Sequence, residues 1–477
     1  MANTLRNSAE EKTALTGWES FQIRVNLVLG TFPRLIIVLG LVALIAAEVF
    51  LVSKNKLNYG VVLAFLPFVI IGLKILLEHF EYGPVILLAT AAFIPLKLPT
   101  GTGSPLVASL ALAMGLLTLW VLKMMVFERR LVLKPSPANL PALAFMLVTL
   151  ISLVWGNILM DPSIFVPATF LFVQIGAASV MVISPAITLL VGNLITSEKQ
   201  LKIMVGIMLA VGVIGLVENF LNVNLFTVIG GLTSAWVITL SYGMALYNHK
   251  IKKLWKYSLL ALVGLWFLWN LVLNINWYAG WLPGLVAVGV ISFLRSKRLF
   301  LGFLVAMAIY IAISYTAIAE NVAFKQTNDG DTRLAAWVMN WSVTSHHLLL
   351  GTGPAGYAAY YMTLFPNQAM ATHNNYIDII AETGVIGTFF YLWLFGSLVW
   401  QGFKVVRRLS GNKDFKEALA VAAFAGLIGC IVIMAFGDWM LPFAYTQTIA
   451  GFNYTVYSWL FIGTLLALDN MTQKAVQ

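Results

Sequence analysis

The sequence predicts an all-α fold: a polytopic integral membrane bundle of about 12–14 transmembrane helices with one large extracytoplasmic loop. The mean hydropathy of the 477 residues is +0.89, and only 10% of them are charged, against roughly 25% in soluble domains. Apolar runs recur along the chain, each long enough to cross about 30 Å of hydrocarbon as a helix. The alternating ten-residue segments of a membrane β-barrel are absent from the sequence.

The apolar runs divide the chain into four regions. Residues 1–33 are polar, and the run after them is too long for a signal peptide and has no small-residue cleavage site, so we expect a retained cytoplasmic leader. Residues 34–317 form an N-terminal transmembrane bundle, residues 318–375 the large loop, and residues 376–477 the C-terminal transmembrane helices. The predicted spans are 34–53, 60–78, 83–98, 105–126, 138–156, 168–195, 203–220, 230–247, 255–274, 278–294, 299–317, 384–403, 417–436 and 453–469.

Basic residues lie in short clusters between the apolar runs, and these clusters fall in alternate loops. The net charge of +10 therefore indicates membrane orientation, with the clusters in the cytoplasm, and not a nucleic-acid partner. One loop, with Lys54 and Lys56, falls on the wrong side. The single cysteine, Cys430, lies inside an apolar run, so we expect no internal disulfide. The clusters are Arg129, Arg130 and Lys134; Lys199 and Lys202; Lys250, Lys252, Lys253 and Lys256; Arg295, Lys297 and Arg298; Lys404, Arg407, Arg408, Lys413 and Lys416.

The loop at 318–375 is several times longer than an ordinary connection, and connections of this length are usually functional or disordered. Its aromatic residues and the helical spacing of apolar residues in TRLAAWVMNWSVTSHHLLL predict an ordered helix with a buried face. GTGPAGY then predicts a turn before a second short amphipathic helix. We therefore expect a folded, functional loop.

Charge placement selects candidate residues in this loop. Arg333 is the only one of ten arginines predicted on the outer side, where His346, His347 and His373 also fall. A guanidinium suits phosphate oxygens, and an imidazole can take a proton from a hydroxyl. The alternatives are structural: Arg333 can pair with Asp329 or Asp331, and the two adjacent histidines can pack or cap.

His373 precedes a predicted helix start. Thr372 and Asn374 favour a cap there, and Asp378 and Glu382 in the first turns complement the positive end of the helix dipole. The dipole disfavours the imidazolium form of His373 and keeps the ring available as a base, whereas the two carboxylates act in the opposite direction. A histidine that only caps the helix is the alternative.

Three motifs follow each other in the second half of the chain. They are TRLAAW with Arg333 and Trp337, HHLLLGTGPAGY ending at Tyr357, and HNNYIDIIAETGVIG beginning at His373. In order and spacing they resemble the Wzy/WaaL family of O-antigen ligases and polymerases. That family's pattern is approximately R-x-x-x-W, a Pro-Leu-Gly-x-Gly turn, and HN-x-[YF]-[IL]-x-x-x-x-E-x-G-x-x-G. The detailed resemblance covers about 60 residues.

The resemblance implies a GT-C-like membrane glycosyltransferase of cell-envelope polysaccharide, including lipopolysaccharide, biosynthesis. Such enzymes transfer a glycan from undecaprenyl pyrophosphate to an acceptor hydroxyl at the outer face of the cytoplasmic (inner) membrane, generally with inversion and without a metal or other cofactor. The implied partners are that donor, a glycan, lipid or protein acceptor, and membrane lipid, with no nucleic acid. The family's catalytic histidine falls on His373 and a phosphate-binding arginine on Arg333. The candidate substrate-binding residues are Lys325, Trp337, Tyr357, Asn374 and Tyr376.

Two departures from the family pattern weaken the diphosphate site. Ligases of the family usually carry another arginine in an earlier outer segment, but NVNLFTVIGGLTSAW, at 222–236, holds no cation there. Lys325 can supply the missing charge. His347 stands where the family often has proline.

Other functions remain open from the sequence. A transporter or lipid-linked glycan flippase is also a bundle of this size, but it usually has ionisable residues in midmembrane and internal repeats. Asp378 and Glu382, four residues apart, can imitate the carboxylate pair of a glycoside hydrolase. A metal site formed by His346, His347 and His373 lacks the spacing of helical zinc motifs.

Overall fold

The computed structural model describes residues 76, 78–101, 103–223, 230–274, 278–316, 331–365 and 372–473. The predicted leader, nearly all of the first two predicted spans, and Lys325 lie outside these residues. The side chains of 278, 279, 331–333 and 364 are likewise outside the description.

The described residues are almost entirely helical, which confirms the all-α class. Eight of the described helices are long and apolar enough to cross a membrane, and two shorter apolar helices accompany them. The helices are α1 (Gly83–Phe93), α2 (Ala108–Leu122), α3 (Asn139–Ile158), α4 (Phe170–Leu194), α5 (Glu198–Leu221), α6 (Thr233–Tyr247), α7 (Lys253–Phe267), α8 (Tyr278–Arg295), α9 (Lys297–Ile313), α10 (Asp331–Thr344), α11 (Tyr357–Leu364), α12 (Asn375–Leu409), α13 (Phe415–Ile433) and α14 (Phe452–Gln473). The chain is a multi-pass membrane protein.

One predicted span, 83–98, is wrong in length. Helix α1 ends at Phe93, shortly before Pro95, and the chain then forms a hairpin of two short antiparallel strands, β1 (Lys97–Leu98) and β2 (Leu106–Val107). Proline cannot continue a helix interior without losing a backbone hydrogen bond. The apolar run therefore contains a helix too short to cross the membrane unaided.

Contacts divide the chain into two units, residues 1–83 with 118–132 and residues 84–117 with 133–477. In the described part of the first, Lys123 lies 3.8 Å from Glu128 and over the Phe80 ring. The second unit contains both the bundle of α3–α14 and the candidate site.

Glycines at helix crossings bring the helices of the second unit together. A Cβ at Gly463 on α14 would lie 2.7 Å from the Cβ of Val191 on α4, and one at Gly192 equally close to Leu466. On α6, a Cβ at Gly243 would lie 2.8 Å from Ala422 of α13. In a membrane the hydrophobic effect does not drive helices together, so small residues that allow close backbone packing take its place.

The basic loops of the second unit meet at one end of the bundle. Lys134 donates to the backbone oxygen of Asn193, the backbone N–H of His249 donates to Lys413, and Lys416 lies 3.9 Å from Glu198. Each contact joins loops or helix ends that are far apart in sequence. We name this the basic end. His373 begins α12 at its other terminus, so the candidate site lies at the opposite end.

Candidate functional site

Helix α12 starts with a side-chain cap directly after His373. The Asn374 side-chain oxygen accepts from the backbone N–H groups of Tyr376 (3.0 Å) and Ile377 (3.3 Å), which confirms the predicted helix start. His373 itself has φ +51°, a left-handed conformation uncommon for a residue with a Cβ. Surrounding contacts must hold such a backbone in place.

Thr372 supplies part of that support and attaches α10 beside His373. Its hydroxyl donates to Asp378 Oδ1 at 2.5 Å, and its carbonyl accepts from the Trp337 indole at 2.8 Å. Arg333 lies one helical turn before Trp337 on α10. The first and third motifs are therefore physically joined, and the backbone of Arg333 is carried by the helix that contacts the residue before His373.

His373 faces a buried carboxylate. Its Nδ1 lies 3.4 Å from Asp438 Oδ1, and 44% of the histidine side chain is exposed against 2% of the aspartate. Asp438 Oδ2 accepts from the Thr446 hydroxyl at 2.9 Å. The His373–Asp438 separation is longer than a typical N–H···O bond, as catalytic contacts often are before substrate binds. Within the described ranges, the second ring nitrogen of this accessible imidazole has no hydrogen-bond partner, so it can face a ligand.

Asn375 holds the segment that carries Asp438. This segment, residues 434–448, connects α13 to α14. The Asn375 amide donates to the Leu441 carbonyl at 2.7 Å, and its oxygen accepts from the Met440 N–H at 3.0 Å. The Trp459 indole donates to the Met440 carbonyl from the other side. Three side-chain hydrogen bonds therefore position the segment next to His373.

The glycine turn between α10 and α11 packs on a break in α12. Gly384 has φ +66° and ψ −169°, and a Cβ there would lie 2.3 Å from the Leu349 carbonyl. Backbone hydrogen bonds join Thr352 to Ala381 at 2.9 Å and Gly353 to Glu382 at 3.0 Å. The backbones of the second and third motifs are therefore in direct contact. Glycine is needed there because a side chain would not fit between them.

Asp378 and Glu382 are buried and bound inside the protein. Asp378 Oδ1 accepts from the Tyr357 hydroxyl at 2.7 Å as well as from Thr372, and Glu382 Oε1 accepts from the Ala355 N–H at 2.8 Å. Burial raises the pKa of Tyr357 well above its ordinary value, and the nearby carboxylates raise it further, so the phenol donates. A hydrolase pair needs two carboxyl groups that reach a substrate, and these two are 4% and 6% exposed.

The adjacent histidines have separate local partners. His346 Nδ1 lies 2.8 Å from the Ser342 carbonyl, and His347 Nε2 lies 3.0 Å from the Tyr360 hydroxyl. Burial lowers the pKa of His347, although nearby Asp161 opposes this effect. Among the described residues, no three His, Cys, Asp or Glu side chains are grouped as metal ligands.

The candidate substrate-binding residues have different positions. Tyr357 and Asn374 are buried and use their polar groups inside the protein, and their substrate-binding roles stay predictions. Trp337 and Tyr376 are half-buried and donate to the carbonyls of Thr372 and Ile431, and their substrate-binding roles stay predictions. So does that of Lys325, which lies outside the described residues.

The sequence reasoning missed Asp438 and Asn375. Asp438, in FGDWMLPF between two apolar spans, carries no distinctive local signal, because Asp161 and Asp414 also lie between spans. Asn375 sits within the third motif but at its unspecified position. The contact between the two segments joins residues 65 apart.

The fold and the site define a multi-pass membrane protein with an accessible histidine, paired with a buried aspartate, at the end of the bundle opposite its basic loops. A family model described as O-Antigen ligase, Wzy_C, matches residues 256–392. The matched stretch contains Arg333 and His373, and the match confirms the resemblance drawn from the three motifs. No curated protein matches the chain.

Proposed function

We propose that the chain transfers a glycan from undecaprenyl pyrophosphate to an acceptor hydroxyl at the outer face of the cytoplasmic membrane, with inversion and without a metal. The family match supports ligase or polymerase activity of this kind. The observation that carries the proposal is the contact between His373 and Asp438 beside the helix of Arg333. The partners are the lipid-linked donor, a glycan, lipid or protein acceptor, and membrane lipid.

The reaction requires a base and a counter-charge. The acceptor oxygen attacks the anomeric carbon, its proton passes to the free ring nitrogen of His373, and the bond to the diphosphate oxygen breaks. The departing lipid diphosphate takes the electron pair. Because a diphosphate is a good leaving group, cations on its developing charge replace a general acid.

Asp438 positions the base. Its carboxylate fixes the Nδ1–H tautomer of His373, aims the opposite nitrogen at the acceptor and stabilises the imidazolium that forms. Its own second oxygen is held by Thr446, so the ring is oriented by a carboxylate that is itself oriented. Such pairing is the usual support of a histidine base.

Arg333 binds the diphosphate. Its position one turn before Trp337 supports this role, because the Trp337 indole fixes that part of α10 to the residue before His373. The planar guanidinium can hold two phosphate oxygens at once. Lys325 is proposed as a second cation for the same group.

Single substitutions in purified protein test the base. His373→Ala should lower the transfer rate from a lipid-pyrophosphate glycan to acceptor by at least about a hundredfold, which is the usual scale of general-base catalysis. Asp438→Asn should also lower kcat, because the amide can present the wrong group to Nδ1. His346→Ala is the matched control and should transfer normally, since the side-chain hydrogen bonds of that exposed histidine within the described residues go to Ser342 and Ser345.

The assay uses detergent-solubilised protein with no second compartment, so product formation separates an enzyme from a transporter or flippase. Each variant is first compared with wild type for membrane abundance and monodispersity. If His373→Ala and Asp438→Asn both transferred glycan at the wild-type rate, His373 would not be the base. Absence of any product from wild type under all acceptors favours the transport alternative.

A separate pair of variants tests whether Arg333 acts through its shape. Arg333→Ala should abolish transfer, and Arg333→Lys should remain strongly impaired because an ammonium cannot form the two parallel hydrogen bonds of a guanidinium. The measurement is KM for the donor together with kcat. A nearly normal lysine variant would reduce the role of Arg333 to simple charge.

A further inference from the structure

A cavity of about 480 Å³ lies at the basic end, between the start of α3, the last turns of α12 and the end of α14. Its lining includes Ser136, Asn139, Gln401, Lys404, Arg408 and Asp469. The volume is in the range of small-molecule sites. The cavity is at the opposite terminus of α12 from His373, so the proposed reaction makes no use of it.

The acidic residue of this cavity is already neutralised. Asp469 Oδ1 accepts from Arg408 Nη1 at 2.6 Å and from Gln473 at 3.0 Å, and its Oδ2 accepts from Gln401 at 2.8 Å. The Ser136 hydroxyl in turn donates to the side-chain amide oxygen of Gln401, Oε1, at 2.7 Å. This closed network fixes the cavity wall, and it leaves no carboxylate available for a cationic ligand.

The remaining charge of the cavity is positive. Lys404 lies 4.8 Å from the centre of the Trp400 ring, and in the described part of the chain no carboxylate lies within salt-bridge distance of it. Arg408 binds Asp469 and Thr472 through Nη1, and among the described residues its other nitrogens have no hydrogen-bond acceptor, so they keep donors for a ligand. With one carboxylate and two cations, the lining carries a net charge of +1, which favours an anion.

Two exposed apolar stripes continue from the cavity along the bundle. On α3, Leu143 and Leu147 follow Asn139 at four-residue spacing and are 47% and 58% exposed. On α12, Trp400 stands four residues before Lys404 and is 55% exposed, and Trp393, two turns earlier on the same face, is 40% exposed. Residues four apart share one helix face. The cationic cavity therefore opens beside apolar surfaces that suit hydrocarbon chains.

We propose that this cavity binds the phosphate headgroup of an anionic glycerophospholipid from the leaflet at the basic end, with its acyl chains along the α3 and α12 stripes. Lys404 and the free nitrogens of Arg408 hold the phosphate. Basic pockets between transmembrane helices bind lipid headgroups in this way. The apolar stripes favour a lipid over a free phosphate, because a free phosphate has no acyl chains to contact them.

Native mass spectrometry of the full-length protein, delipidated and titrated with phosphatidylglycerol, tests the site. Lys404→Ala should weaken binding of the first lipid about fivefold, the usual effect of one cation beside an anionic lipid, and Lys404→Arg should restore it. Lys256→Ala is the matched control, because Lys256 is also exposed and lies in a basic cluster, and it should bind like wild type.

Two further arms separate the possible ligands. Zwitterionic phosphatidylcholine should bind with no dependence on Lys404, and millimolar glycerol phosphate should not displace phosphatidylglycerol. Equal losses in Lys404→Ala and Lys256→Ala would indicate diffuse attraction and overturn the proposal. Lys404-dependent binding of glycerol phosphate at the same affinity would identify a free phosphate and overturn the lipid assignment.

Discussion

Three consecutive residues of the third motif do different work. His373 is the proposed base, Asn374 caps α12, and Asn375 holds the segment that carries Asp438. The base and its carboxylate are on separate segments, so their separation depends on that bridge. This short polar segment supplies His373 and also positions Asp438, although Asp438 lies outside the motif.

Asn375→Ala should lower kcat about tenfold and leave KM for the donor little changed. The change leaves the Leu441 carbonyl and the Met440 N–H without their buried partner, a loss of about 1–3 kcal/mol, and loosens Asp438. The proposed donor-binding Arg333 is on α10, so donor affinity should persist. Steady-state transfer kinetics on monodisperse protein measure both constants.

Asn412→Ala is the control, because Asn412 is an exposed turn residue at the basic end. It should keep both constants. If Asn375→Ala raised KM for the donor and left kcat unchanged, Asn375 would act on donor binding and not on the base.

Only the local features of the site could be predicted from the sequence. The cap at Asn374 and the helical face of α10 follow from residue types within a few positions, because hydrogen bonds at a helix start and side-chain spacing are local physics. The contact of His373 with Asp438 was not predictable in this way, since it requires a chain reversal between α13 and α14. The burial of Tyr357 was not predictable for the same reason, because the ring that stacks on it at 4.9 Å belongs to Phe443.

At the scale of the elements, hydropathy located most of the described spans, but it did not predict the irregular segments. The predicted span 168–195 corresponds to α4 at Phe170–Leu194. By contrast, the break in α12 at Gly384 depends on the glycine turn that crosses it. The sequence identified GTGPAGY as a turn, but the surface that the turn packs on became visible only in the fold.

Gly384→Ala should destabilise the protein by about 3 kcal/mol or more. Its φ and ψ are accessible essentially to glycine alone, and the added Cβ would meet the Leu349 carbonyl at 2.3 Å. The expected result is a melting midpoint several degrees lower, measured by intrinsic fluorescence in detergent, with reduced transfer.

Gly396→Ala on the same helix is its matched control. Gly396 is helical, and a Cβ there would have no neighbour within 4 Å. Its melting midpoint should stay level or rise slightly, because alanine favours a helix over glycine. Equal midpoints for the two variants would contradict the crossing described for the turn.

At the scale of the whole molecule, the bundle separates two chemistries. One end of the second unit gathers the basic residues of its short loops with the cavity at Lys404, and the other carries His373, Asp438 and α10. Because cytoplasmic loops are enriched in basic residues, we infer that the basic end faces the cytoplasm. The proposed acceptor site then faces outward, where a translocated lipid-linked glycan would be available.

This orientation predicts opposite labelling of two engineered cysteines. Ser345→Cys lies at an exposed position just after α10, and Asn412→Cys lies in the exposed turn after α12, while the native Cys430 is buried and should stay silent. A membrane-impermeant maleimide should label Ser345→Cys in intact cells and Asn412→Cys only after permeabilisation, with a cytoplasmic marker protein confirming that the cells are sealed. The reverse pattern would place His373 in the cytoplasm, and the proposed transfer at the outer face would then be wrong even if the histidine and aspartate act together as described.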